Sequence, residues 1–165
     1  MIIMKTKNKK LKQNIDKKYE FFDVTADIGF WAYGKTLDES FENAALAMFN
    51  VITKTEEVSG KESRKINIES EDLISLLYDF LEELLFIYEV DLLLFFKFFV
   101  KIEKVKKVKK EKVNDNEIYK LEAIATGEEI DWNKHYRGSE VKAITFHMMD
   151  VFCGDIYKVR VILDL

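Results

Sequence analysis

The chain has 165 residues, 48% of them apolar and 34% charged, with a net charge of −4. That size and balance place it among soluble globular proteins of one domain. They argue against a chain that grips RNA by charge alone, because Lys and Arg neutralising phosphates supply most of that affinity. The one cysteine, Cys153, cannot form an internal disulfide, which fits a reducing compartment.

Residues 1–18 carry seven Lys against one Asp, so the remainder is distinctly acidic. A basic, flexible tail is expected there, either touching RNA or simply solvated. No apolar stretch with a small-residue cleavage site follows Met1, so no signal peptide is expected. Proline is absent and there is no Gly/Ser-rich linker, so residues 19–165 read as one domain. Residues 19–22 and 28–34 read as short strands. In the second, Phe30 and Ala32 share one face, and Trp31 and Tyr33 the other.

Thr36 opens a helix through a Thr36–Glu39 capping box. Leu37, Phe41, Ala44, Ala45 and Met48 follow at helical spacing and form one buried face. Residues 64–69 form a strand, with Ile66 and Ile68 pointing one way. Ser70 is then placed to cap a second helix running to about Tyr88. Its wide stripe of Leu73, Leu76, Leu77, Phe80, Leu84, Leu85 and Tyr88 lies opposite Asp79, Glu82 and Glu83, which makes this the central helix. The apolar run over 73–100 is broken by Asp79, Glu82, Glu83, Glu89, Asp91 and Lys97. It does not supply the roughly 20 apolar residues of a membrane span, and a cytoplasmic location is expected.

Residues 94–108 form a long strand that becomes Lys-rich; residues 101–112 hold seven Lys. A hairpin tip is expected around Asn114-Asp115-Asn116, solvated or meeting an acidic partner or RNA, with residues 118–127 returning. Residues 141–151 and 156–163 are the last two strands, joined around Cys153-Gly154-Asp155. Tyr157, Val159, Val161 and Leu163 are expected to face the core. Hairpins dominate, so the predicted fold is α+β: a single domain with an antiparallel-rich β-sheet and two packed helices.

The chemistry-bearing residues are sparse. His135 is expected exposed in a loop. Lys142 and His147 sit on the strand over 141–151, on opposite faces if it is regular. Gly29 to Thr36 spell G-x-x-x-x-G-K-T, the letters of a phosphate loop. The four residues between the glycines are bulky and alternate as a strand, whereas a phosphate loop needs a compact turn. Asp23 and Asp27 flank a short turn, and Asp164 is followed by Leu165 with its terminal carboxylate. If the last strand pairs with the first hairpin, Asp27, Asp164 and Leu165 converge into hard oxygen donors suited to Ca²⁺ or Mg²⁺. Taken by spacing alone, they read as ordinary surface acids.

Four stretches together resemble the archease family. Tyr19-Glu20-Phe21-Phe22-Asp23-Val24-Thr25-Ala26-Asp27 is similar to its Y-E-x-x-D-H-T-A-D opening. Ala32 to Phe49 resembles A-x-G-x-T-L-E-E-A-F-E-x-A-A-x-A-M-F, which accounts for the phosphate-loop letters. Lys134 to His147 resembles K-H-x-x-G-T-E-V-K-A-I-T-Y-H, and Val161-Ile162-Leu163-Asp164-Leu165 resembles the apolar-Asp-apolar ending. The resemblance implies an accessory protein, not an enzyme, that promotes guanylylation and multiple turnover of an RtcB-type tRNA-splicing RNA ligase. It also implies a Ca²⁺ site at Asp27, Asp164 and Leu165, with Mg²⁺ or another divalent ion as an alternative, and a functional lysine at Lys142. Asp23 and His147 are further candidate contacts. The departure is Val24, where the family usually has His. Two other functions compete: a metal-dependent phosphoesterase acting on RNA or nucleotides, and a plain RNA-binding or chaperone module.

Overall fold

The computed structural model describes residues 16–109 and 112–165. The expected basic tail therefore lies outside the described residues except for its last three. The elements run β1 (Tyr19–Val24), β2 (Asp27–Gly34), α1 (Leu37–Ile52), a 3-10 turn (Thr55–Glu57), β3 (Glu62–Ser70), α2 (Leu73–Asp91), β4 (Leu93–Lys109), β5 (Lys112–Glu129), β6 (Ala143–Phe152) and β7 (Tyr157–Asp164). All strand pairs are antiparallel, and they form two sheets. One is four-stranded in the order β1-β2-β7-β6, the other three-stranded in the order β3-β5-β4. The α+β class and the two packed helices are as the sequence predicts.

Both helices touch both sheets. The helix α1 packs on β2 and β7 of one sheet and on β4 of the other, while α2 packs on β6 of the first and on β3 and β5 of the second. The expected stripes supply the contact. Phe41 of α1 stacks on Phe80 of α2 with ring centroids 6.3 Å apart, and Phe49 meets Phe95 and Phe98 of β4. Each fully buried side chain of this size contributes about 1.5–3 kcal/mol. Val159, Val161 and Leu163 reach the core from β7, whereas Tyr157 is half-buried.

Thr36 caps α1 as predicted, its hydroxyl accepting from the Glu39 N–H at 3.1 Å. The return bond shifts by one residue: the Lys35 N–H donates to Glu39 Oε2 at 3.3 Å. Ser70 does not cap α2. It is still paired within β3, and its hydroxyl donates to Asp79 Oδ2 at 2.8 Å. The cap is Asp72, which accepts from the Ser75 N–H at 2.8 Å. The hairpin tip also moves. Pairing continues to Lys109 and Lys112, so Asn114-Asp115-Asn116 lies within β5. Beyond a register shift after Lys106 the two strands pair again at Val108–Val113 and Lys109–Lys112, and a Lys104–Glu117 ion pair at 2.6 Å braces the arm before the shift.

The β4 edge is sealed by α1. Glu42 Oε2 accepts from the Val100 N–H at 2.9 Å, and Asp38 Oδ1 accepts from the Ile102 N–H at 3.0 Å. These carboxylates occupy amides that would otherwise template pairing with another chain. Among the described residues, no helix is long and apolar enough to cross a membrane.

Candidate functional site

The turn between β1 and β2 is only Thr25-Ala26, because Val24 and Asp27 are already paired. Ala26 takes φ 64°, in the left-handed region that favours glycine. This tight turn makes Asp27 the first residue of β2 and fixes its direction. Across the ladder Asp27 stands opposite Asp164, and Asp164 stands opposite Ala143. Val24, Asp27, Asp164 and Ala143 therefore form one rung. Residues directly opposite in an antiparallel ladder share a face, with Cβ atoms about 4.5–5.5 Å apart. Because Ile28, Phe30 and Ala32 turn toward the helices, alternation puts Asp27 and Asp164 on the outer face. The last strand thus pairs with the first hairpin, the condition on which Asp27 and Asp164 come together.

The side chains of Asp23, Lys142 and His147 separate from this pair. Asp23 is one rung away, opposite Ile28, so its exposed side chain leaves from the opposite face. Leu165 directly follows Asp164; its side chain packs partly against the core, and the oxygen donor expected of it is the terminal carboxylate. Lys142 precedes β6 and is tied to the rung by its backbone, its N–H donating to the Asp164 carbonyl at 2.8 Å. Its exposed side chain instead lines a groove along α2. The β6 strand is irregular between Thr145 and Asp150, with Met148 at φ 56°. His147 sits exposed in that irregular stretch, past the last regular pair Thr145–Ile162 and off the Asp27–Asp164 rung. The regular strand assumed for Lys142 and His147 is thus not what forms.

Two carboxylates on one rung are hard oxygen donors of the kind Ca²⁺ and Mg²⁺ use. Among the described residues, no group of three or more His, Cys, Asp or Glu side chains gathers to hold a metal. Ca²⁺ takes 6–8 oxygens, so Asp27 and Asp164 fit a divalent ion as part of a shell. Val24 shares their rung, so a histidine at that position would stand on the same face beside Asp27.

His135 is not exposed. It is 3% accessible, and its ring spans two partners. The Asp131 N–H donates to Nδ1 at 3.0 Å, so Nε2 carries the proton toward Glu128 Oε1 at 2.8 Å. Glu128 is itself buried. The Lys134 ammonium donates to it, the Ser59 N–H donates at 3.0 Å, and Lys61 stands 3.5 Å away. The Lys134 hydrogen bond above all, with those from Ser59 and His135, outweighs burial and holds the Glu128 carboxyl down at about 2. The cluster anchors the start of the connection from β5 to β6. The Gly138 and Ser139 N–H groups then bond to the Ile52 and Val51 carbonyls at the end of α1. A Cβ on Gly138 would stand 2.4 Å from the Val51 carbonyl oxygen. The K-H-x-x-G segment thus fixes the path that delivers Lys142 to Asp164. Sequence reading missed this role because Glu128 carries no mark of burial in its own neighbourhood.

The archease protein family matches residues 19–165. The chain is 53% identical over 150 residues to the protein archease of Methanothermobacter thermautotrophicus, covering 90% of this chain and 99% of that protein. It is 43% identical to the Methanosarcina acetivorans protein archease, covering 90% and 97%, and 47% identical to that of Pyrococcus abyssi, covering 82% and 88%. The solution structure of Methanobacterium thermoautotrophicum protein 1598 superposes with a TM-score of 0.70 at 47% identity, covering 90% of this chain and 99% of that one. With its motifs in order and its fold matched, the chain belongs to the archease family.

Proposed function

We propose that the chain is an accessory protein that activates an RtcB-type tRNA-splicing RNA ligase, promoting its guanylylation and multiple turnover, and that it is not itself the catalyst. The observation that carries this reading is the Asp27–Asp164 rung at one end of the four-stranded sheet. Two carboxylates fixed by ladder pairing form a rigid, incomplete donor set. Such a set suits a divalent ion whose remaining ligands come from water or from a partner. Asp27 and Asp164 would hold the ion, with Ca²⁺ as the expected species, and when bound it would supply positive charge beside the ligase's phosphate chemistry.

The residues of this chain supply position. The Thr25-Ala26 turn and the β2–β7 pairing hold Asp27 in place, and the Lys142 N–H fixes the Asp164 backbone. An acidic tip of this rigidity can bind one conformation of a ligase cleft better than another, and only such differential binding shifts an equilibrium. The test is ligation of tRNA halves at excess RNA over the host's ligase, with and without this chain. Repeated turnover that requires the chain is expected. Equal turnover without it, or hydrolysis of RNA or nucleotides by the chain alone, would overturn the reading.

A further inference from the structure

Beyond the acidic rung, the described residues line a groove of about 530 Å³. It runs between α2, the edge strand β3 and the start of the edge strand β6. Its polar lining is one-sided: Asp79, Glu82, Glu83 and Glu89 from α2 face a single cation, Lys142. Among the described residues no Lys, Arg or His forms an ion pair with any of these four carboxylates. Asp79 stands three and four residues before Glu82 and Glu83, so α2 carries like charges at spacings that destabilise a helix.

Exposed aromatic surface accompanies the charge. Phe86 lines the groove and is 56% exposed. Tyr78 lines it too, and stacks on Phe146 of β6 with centroids 3.9 Å apart and planes 12° apart, leaving Phe146 56% exposed. Large aromatics left in water beside unpaired charges are the composition of an interface, where aromatic anchors carry most of the binding energy.

We propose that this groove docks a Lys/Arg-rich extended segment of the ligase, with Phe86 and the Tyr78–Phe146 stack taking its apolar or guanidinium groups and Glu82, Glu83 and Glu89 taking its charges. The inference rests on the ligase reading above and deepens it by naming the contact surface. Charge complementarity selects the occupant: these carboxylates repel a nucleic acid backbone and attract ammonium and guanidinium groups, which also stack on aromatic faces. Continuity supports it, because Lys142 lines the groove and its N–H is bonded to Asp164. One docked partner could therefore reach both the groove and the rung.

The test is calorimetric titration of the full chain into the purified ligase at low and physiological salt, for the unmodified chain, Glu82→Lys/Glu83→Lys and Phe86→Ser. All three altered residues are exposed, and thermal melts check that the fold is kept. The expected results are salt-weakened binding by the unmodified chain, a loss of about tenfold or more with a flatter salt dependence for the double charge reversal, and a loss of about fivefold or more for Phe86→Ser. If the unmodified chain binds and stimulates the ligase but both variants bind equally well, the groove inference is overturned and the function stands. If the unmodified chain neither binds nor stimulates, both fall. A dimer of the chain alone that Phe86→Ser dissolves would make a second copy the occupant and would also overturn the inference.

Discussion

Asp27 and Asp164 stand directly opposite one another in the β2–β7 ladder, although they come from opposite ends of the chain. Like charges at directly opposed positions destabilise a sheet by about 0.2–1 kcal/mol. With divalent ions chelated, Asp27→Asn should therefore raise the melting temperature by about 1–3 °C. Millimolar Ca²⁺ should raise the melting temperature of the unmodified chain and leave that of Asp27→Asn unmoved. Differential scanning calorimetry reads both effects. Equal Ca²⁺ responses in the two proteins would remove Asp27 from the metal site.

Glu128 makes stability depend on acid pH. Its carboxyl is held at about 2, below the ordinary 4.5, first by the Lys134 hydrogen bond. A group depressed in the folded state contributes in full above its unfolded value and loses that contribution as pH falls through the folded one. The window is therefore pH 4.5 down to 2. Glu128→Ala should flatten the acid limb there. At neutral pH it should cost about 2–3 kcal/mol, because the buried His135 Nε2–H loses its acceptor. Denaturant titrations across that range measure both quantities.

Much of this architecture is legible in the sequence. Leu37, Phe41 and Met48 declare α1 by spacing, Thr36 and Glu39 mark its start, and alternation in β2 and β7 sets their faces. What the sequence withholds is register and burial. Nothing local says that Val24, Asp27 and Asp164 share a rung, because that follows from pairing between distant strands. Ser70 looks like a cap, and only the extension of β3 through Ser70 passes that role to Asp72. Asn114-Asp115-Asn116 reads as a turn because cross-strand pairs such as Lys104–Glu117 are invisible along the chain. His135 reads as exposed because Glu128, the acid that buries with it, lies in the preceding strand.

The β4 edge gives a contrast between two substitutions at one position. Burial above all pushes the Glu42 carboxyl up, with Asp38 and Glu39 adding to it and the Val100 hydrogen bond opposing. A carboxyl raised in the folded state lowers stability as pH rises through its folded value, so its charge is a cost at neutral pH. Glu42→Gln keeps an oxygen acceptor without the charge, and its stability at pH 7 should match or exceed that of the unmodified chain. Glu42→Ala leaves the buried Val100 N–H unsatisfied and should cost about 1–3 kcal/mol. Chemical denaturation at pH 7 separates the two. A Glu42→Gln variant as unstable as Glu42→Ala would show that the charge itself holds the edge.

In the proposed function the Asp27–Asp164 rung acts on the ligase. The most direct measurement is the rate of ligase guanylylation from labelled GTP, with the unmodified chain or Asp27→Asn added at equal concentration. Calorimetry on the same samples confirms that the variant is folded. Stimulation by the unmodified chain is expected, with a rate for Asp27→Asn no higher than that of the ligase alone. Full stimulation by folded Asp27→Asn would contradict the proposed role of the rung.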